Sequence, residues 1–347
     1  MQVTGTRQRE AWVAGEFPPV EEVAGGIWSI PVPIPDNPLR YVLTYLIEHQ
    51  SGFLMVDPGW NHPDSWTTLT AGLATAQIPL PAITAVVITH VHPDHHGLSR
   101  AVQEQSGAWI GMHEREDAWL AGLAEQGAVR AGLAQYMRLS GAPPEHLAAL
   151  AARQHTVGPP SQMARADRTL THGDLLDVPG LAMRAIWTPG HSPGHLCFHL
   201  PDRGLLLTGD HVLPRITPNV SVYNLDSSPL DDYLDSLAAL RGLSPGEVLP
   251  AHEYRFTDLD ARLDALAEHH QERLDEVNRA LASAPDGRPA WQVALRVSWS
   301  RPWDELGPFQ HQAALGEVSA HLRHLERHGR ARRTEADGTT LWSSVAD

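Results

Sequence analysis

The sequence predicts an α/β fold, and three observations carry that expectation. Short β-rich runs, punctuated by Pro, Asp, Asn and Gly, alternate with stretches of helical character. Four of these runs end in His or Asp, as strands do when they deliver side chains to one sheet edge. A composition break at Ala284-Pro285-Asp286-Gly287 then sets off a tail with its own pattern.

In chain order, Ile27–Val32, Tyr41–Glu48 and Phe53–Val56 read as strands, and Asp57-Pro58-Gly59 marks a sharp exit from the third. A helix is expected over Asp64–Ala76, a buried strand over Ile83–Thr89, a helix over Leu98–Ser106 and a short strand over Ala108–Met112. From Glu114 to about Arg165 the chain is rich in Ala, Leu, Arg and Glu and reads as a helical insertion covering one edge of the site. Strands resume at Leu181–Trp187, Leu196–Leu200, Leu205–Thr208 and Glu247–Leu249. Helix Leu230–Leu240 has Ser227 and Ser228 as caps and Pro229 at its start, and Leu259–Leu281 is a long helix. The tail reads as helices at Ala290–Val297, Phe309–Leu315 and Gly316–His328, then a two-stranded wing over Gly329–Leu341 turning at Asp337-Gly338. The expected organisation is a catalytic domain over 20–258, with its insertion at about 114–165, and a linker helix plus tail domain over 259–347.

A chain of 347 residues exceeds what one compact core usually holds, which agrees with two domains. No run of about 18 apolar residues marks a membrane span. Met1–Pro19 lacks the apolar segment of a secretory signal, so a cytoplasmic address without membrane contact is expected. A net charge of −15 opposes non-specific contact with phosphates, so nucleic acid is not an expected partner. All 26 basic residues are arginine, which excludes lysine Schiff-base and P-loop chemistry. The single Cys197 excludes an internal disulfide and reads as buried packing within Leu196-Cys197-Phe198. Histidine is the informative excess. Its 21 copies against five Phe and six Tyr point to metal binding.

The strongest motif is Thr89-His90-Val91-His92-Pro93-Asp94-His95-His96-Gly97, directly after an apolar run. In an extended segment His90 and His92 point to the same side, and the turn sends Asp94 and His95 towards a second position. One short loop can thus feed two ions, since imidazole nitrogens and carboxylate oxygens bind Zn²⁺ and similar ions at about 2.0–2.2 Å. His191, Asp210 and His252 recur in the same context, each just beyond a strand. A lone His near a strand end reads more readily as a surface or capping residue, but the shared context reverses that reading. The candidate ligands are therefore His90, His92, Asp94, His95, His191, Asp210 and His252.

His90-x-His92-x-Asp94-His95, followed by Thr188-Pro189-Gly190-His191, Thr208-Gly209-Asp210 and Pro250-Ala251-His252, resembles the metallo-β-lactamase superfamily over roughly Gly25–Tyr254. The resemblance implies an αββα sandwich with a dinuclear site along one edge. It assigns His90, His92 and His191 to the first ion, Asp94, His95 and His252 to the second, and Asp210 to both. Asp57 resembles the family's buried Asp that holds the histidine loop, with a plain turn Asp as the alternative. The main zinc β-lactamases place a Cys near the Asp210 position, and none stands here, so antibiotic hydrolysis is not the expected main activity. Thr188–His195 looks like glyoxalase II, although the lysines of that enzyme's glutathione-binding end are missing. The tail resembles the winged helix that follows the catalytic domain in an endoribonuclease-like branch.

Adjacent ions lower the pKa of a shared water from about 15.7 towards 7, and Asp94 or Asp210 can take the proton in the next step. The expected cofactor is a pair of Zn²⁺ ions, with Fe or Mn as alternatives. The expected reaction is hydrolysis of a small ester-like bond, a thioester or a lactone. RNA or nucleotide phosphodiester hydrolysis and a metal-bearing winged-helix regulator are the competing readings. His96 is a candidate for substrate contact or a solvated neighbour, and His195 for orienting the His191 loop; His199 and His211 are given no role. Trp60, Trp187 and Tyr223 are candidates for lining the pocket, with packing as the alternative for each. In the tail, His321, Arg323, His324 and Arg327 are expected on an open helix face, with Arg330, Arg332 and Arg333 after them. Trp299, Trp303, Phe309 and Trp342 suggest packing against the catalytic part or a second subunit, the expected route to a homo-oligomer.

Overall fold

The computed structural model describes residues 1–123, 126–152, 162–222 and 227–345. The chain opens with a two-residue strand, Gln2–Val3 (β1), and a helix, Thr6–Ala14 (α1). A seven-stranded sheet follows in chain order: Glu21–Ala24 (β2), Ile27–Pro33 (β3), Tyr41–His49 (β4), Gly52–Val56 (β5), Ile83–Val87 (β6), Trp109–His113 (β7) and Arg168–Leu170 (β8). Pairing is antiparallel from β2 to β5 and parallel from β5 to β8. Parallel neighbours need crossovers, here Pro63–Thr75 (α2) and the pair Pro93–His96 (α3) and Ser99–Ser106 (α4). Helix Glu114–Leu123 (α5) leaves β7.

A six-stranded sheet runs β1-β13-β12-β11-β10-β9, where the new strands are Arg184–Trp187 (β9), Leu196–Leu200 (β10), Leu205–Gly209 (β11), Glu247–Pro250 (β12) and Phe256–Thr257 (β13). The alternation of β4 shows how the sheets use their residues. Tyr41, Leu43, Tyr45 and Ile47 enter one core with Phe198, Leu207 and Leu249 of the other sheet. Val42 and Leu46 enter a second core with Leu69 and Leu73 of α2 and Val102 of α4. Side chains of period two thus bury both faces of this strand, which is why it reads as a nearly continuous apolar run.

Two compact units divide the chain. Met1–Ala124, Val157–Pro218 and Ala238–Leu263 make the first, and Glu125–Thr156, Asn219–Leu237 and Asp264–Asp347 the second. The second contains Gln126–Leu139 (α6), Pro144–Ala152 (α7), most of Pro229–Leu240 (α8) and of Leu259–Ala282 (α9), Ala290–Ala294 (α10) and Pro308–Arg327 (α11). It ends in an antiparallel hairpin of Ala331–Ala336 (β14) and Thr339–Ser344 (β15). No helix among the described residues is long and apolar enough to cross a membrane.

Three local expectations change. Helix α1 was not anticipated, because polar bonds hold it: buried Gln8 donates to Ser29 Oγ at 3.2 Å and accepts from the Arg255 N–H at 3.0 Å. The two helices expected over 309–328 are one, α11. Gly316 does not break it; a Cβ there would stand 2.6 Å from Ser221 Oγ, so this glycine answers a packing need. His321, expected on an open face, is fully buried, and its Nδ1–H donates to the Glu317 carbonyl at 2.7 Å. Of the tail aromatics, Trp342 is buried, Trp291, Trp299 and Trp303 pack on one another, and Phe309 is exposed.

Candidate metal centre

Each candidate ligand lies just past a strand end. His90 and His92 follow β6, His191 follows β9, Asp210 follows β11 and His252 follows β12. Three ring nitrogens converge: His90 Nε2 to His92 Nδ1 at 2.9 Å, His191 Nε2 to His92 Nδ1 at 3.1 Å and His191 Nε2 to His90 Nε2 at 3.2 Å. Nitrogens bound tetrahedrally at about 2.0–2.1 Å lie roughly 3.3 Å apart, so this trio matches one ion. Burial holds His90 well below its ordinary pKa, and burial plus His191 pushes His92 down to about 3. Neutral rings expose the lone pairs that a cation needs.

A second group adjoins the first. Asp94 Oδ2 lies 3.7 Å from His95 Nε2 and 3.5 Å from His252 Nε2. Asp210 reaches both groups. Its Oδ1 is 3.2 Å from His252 Nε2 and 3.5 Å from His95 Nε2, while Oδ2 is 3.7 Å from His191 Nε2. Among the described residues His95 Nε2, His252 Nε2 and Asp210 Oδ1 find no hydrogen-bond partner in their buried setting, a cost of about 1–3 kcal/mol each that a bound cation removes. Burial opposes charge on His95 and His252, yet Asp210 and the other carboxylates outweigh it and raise both pKa values. Burial likewise works against the Asp210 anion, and His252 and His95 reverse it, holding that carboxyl well below the usual range. The two groups thus gather donors that could hold two adjacent metal ions.

Buried Asp57 fixes the protons of two ligands. It accepts from the Thr89 N–H (2.8 Å), from Thr89 Oγ1–H (2.7 Å) and from His95 Nδ1–H (2.8 Å). With its only proton committed to Asp57, Thr89 Oγ1 must accept from His90 Nδ1–H at 3.0 Å. Both rings are thereby left with Nε2 lone pairs turned inwards. His252 is set in the same way, its Nδ1–H donating to the Tyr41 carbonyl at 2.8 Å. His195 does for the backbone what Asp57 does for the rings. Its Nε2 accepts from the Asp210 N–H at 3.2 Å and its Nδ1–H donates to Thr188 Oγ1 at 2.9 Å. Gly209 has φ +49°, and a Cβ there would meet His195 Nε2 at 2.7 Å and Thr89 Cβ at 2.8 Å. Only glycine lets the Asp210 loop lie so close.

Glu116 escaped sequence reasoning. Fully buried on α5, it accepts from the Val91 N–H (2.7 Å), Ser192 Oγ–H (2.8 Å) and the Gly194 N–H (2.6 Å). One carboxylate therefore ties the loop of His90 and His92 to that of His191. Burial pushes its carboxyl pKa up, against the donated hydrogen bonds. The nearest sequence signal was an acidic residue at a helix start, which is ordinary.

The neighbours sort themselves differently. His96 is neither solvated nor turned to the donors: fully buried, it donates from Nε2 to the Ala164 carbonyl at 2.9 Å, and burial pushes it down to about 4. His211 is buried and pushed down to about 3 by burial and His191, while half-buried His199 lies in the middle of β10. Trp60 packs on the core beneath α2, and Trp187 donates to the Pro193 carbonyl and stacks on His113; Tyr223 lies outside the described residues. Cys197 is buried beside Thr188 and Thr208, its thiol pushed up to about 12 by burial.

Comparison with known proteins agrees with this geometry. A metallo-beta-lactamase family protein from Thermus thermophilus superposes with a TM-score of 0.77 at 28% identity, covering 93% of this chain and 100% of that one. A Beta-lactamase domain protein from Burkholderia ambifaria gives 0.80 at 28% identity, covering 94% of each. The Lactamase-like protein vrtG of Penicillium aethiopicum is 32% identical over 154 residues, 44% of either chain. The Lactamase-like protein nscB of Arthroderma gypseum is 37% identical over 105 residues, 30% of this chain and 31% of that one. The matched segments thus span less than half the length of these curated relatives. The sequence model of the Metallo-beta-lactamase superfamily matches residues 37–252, a stretch that begins just before β4 and ends on the last of the convergent histidines. The chain belongs to the metallo-β-lactamase superfamily, whose members are typically hydrolases.

Proposed function

We propose that the chain is a metal-dependent hydrolase of a small ester-like substrate, a thioester or a lactone. The observation that supports this reading best is a complete donor set gathered around a carboxylate, Asp210, with the only thiol buried elsewhere. His90, His92 and His191 would hold one ion, Asp94, His95 and His252 the other, and Asp210 both. Zinc is the first choice, with iron or manganese as alternatives. When bound, such ions make water nucleophilic at neutral pH and polarise a substrate oxygen. The chain supplies the rest. Asp57, Thr89 and the Tyr41 carbonyl hold the ligand rings in one tautomer. Asp94 and Asp210 are the carboxylates placed to take up a proton after bond cleavage.

We read α10, α11 and the β14–β15 hairpin, after the linker helix α9, as a winged-helix-like domain that does not bind nucleic acid by itself. Its basic groups are partly engaged within the unit, Arg323 with Glu326 and His324 with Asp231, which supports that reading. Protein loaded in turn with zinc, iron or manganese should be assayed on thioesters, lactones, phosphodiesters and β-lactams. Fastest turnover on a thioester or a lactone is expected; faster β-lactam or phosphodiester cleavage overturns the assignment. Salt-sensitive, sub-micromolar binding to duplex DNA or RNA would overturn the reading of the tail.

A further inference from the structure

We propose a separate divalent transition-metal site in the second unit, formed by Asp231, His324 and His328. His324 lies in the last turn of α11 and His328, four positions on, caps its C-terminal end. Asp231 comes from the first turn of α8. Its Oδ1 lies 2.9 Å from His328 Nε2 and 3.1 Å from His324 Nδ1, and the two rings stand 4.3 Å apart between centroids. One ligand atom from each residue falls within 4.8 Å of the others. Donors around an ion at about 2.0–2.2 Å sit some 3.2–3.6 Å apart, so the two Asp231–His distances lie just inside that spacing.

A second observation points to a ligand. Among the described residues the buried Asp231 Oδ2 has no hydrogen-bond partner, so the cluster leaves one carboxylate oxygen unused. Two imidazoles and one carboxylate select zinc and its transition-metal neighbours over magnesium or calcium, which prefer all-oxygen shells. The C-terminal end of α11 adds a favourable partial negative charge. The competing cation is Arg327, with Nε 3.9 Å from Asp231 Oδ2, but its side chain is 64% exposed and can turn to water. The His328 side chain is 55% exposed, so water can reach the cluster. An ion here would tie α8 to α11 and stabilise the second unit without touching substrate. This inference does not depend on the proposed reaction.

The test compares chelator-treated full-length protein with His328→Ala and Asp231→Asn, each dialysed against micromolar free zinc at pH 7.5. The wild-type chain should retain one equivalent more zinc than either variant. It should also show a zinc-dependent rise in unfolding temperature that both variants lose in part. Because the readout is a difference between chains that share the centre around Asp210, failure of that centre cannot mimic it. Equal zinc content and equal thermal shifts in all three proteins would overturn the proposal. His328 is largely exposed, so its variant tests the ion without threatening the fold.

Discussion

The two donor groups of the centre are held in place by different means. In the group of Asp94, His95 and His252, partners act on the rings themselves, through Asp57 on His95 and the Tyr41 carbonyl on His252. In the group of His90, His92 and His191, the ring of His90 is set through Thr89, and the backbone is clamped by Glu116. Their electrostatics differ to match. Carboxylates raise the pKa of His95 and His252, whereas burial lowers that of His90 and His92. Both groups turn Nε2 lone pairs inwards, but only the group of Asp94, His95 and His252 surrounds them with carboxylates. A pre-organised metal centre can therefore be made either by aiming side chains or by fixing the loops that carry them.

Removing the shared ligand should erase the contrast. Asp210→Ala is expected to cut metal content at both groups and lower hydrolysis by more than the roughly 10–100-fold typical of an outer partner. Elemental analysis checks this, and full two-ion occupancy in the variant would rule out a ligand common to both. Outer partners should sharpen the contrast instead. Asp57→Asn puts an amide NH₂ where donors already point, so the tautomers of His95 and His90 are both disturbed, and affinity should fall about 10–100-fold at both groups. Glu116→Gln acts through Val91, Ser192 and Gly194, so it should weaken only the imidazole group, by about tenfold. Cobalt titration followed by absorbance separates the two, and a uniform loss in Glu116→Gln would break the comparison.

The smallest effect concerns imidazoles buried without carboxylates. In the second unit His270 Nδ1–H donates to His321 Nε2 at 3.3 Å, and burial holds His270 well below its ordinary pKa and His321 at about 3. The unfolded chain takes up these protons below pH 6.5 while the folded chain does not, so stability should fall as pH drops through that range. Denaturant midpoints at pH 7 and pH 5 should differ less in His270→Leu/His321→Leu than in the wild-type chain. An unchanged difference would mean that these rings do not contribute to the acid sensitivity.

What the sequence shows and hides follows from which atoms make each contact. The seven candidate ligands could be picked out because metal chemistry uses side chains, and side chains placed after apolar runs leave a pattern. The central strands were legible because both faces of β4 and its neighbours are apolar, whereas the short β1, β2, β8 and β13 were not anticipated. Glu116 was hidden because its partners are two backbone amides and a serine, which carry no motif, and because it sits on a helix read as part of an insertion. Helix α1 was hidden because Gln8, rather than an apolar stripe, anchors it. His96 misled in the opposite direction: it shares the histidine run but faces Ala164.

The proton on His252 is placed by the main-chain carbonyl of Tyr41, and a carbonyl is common to all twenty amino acids. Point substitution at position 41 can remove the ring and its hydroxyl, which itself donates to the Glu253 carbonyl at 3.0 Å, yet it leaves that acceptor in place. Alanine scanning would therefore record nothing of this partnership. A single-residue deletion within β4 would expose it, since slipping the strand by one position turns the carbonyl away and sends every side chain to the opposite face. That part of the centre is inherited with the register of a strand rather than with any codon.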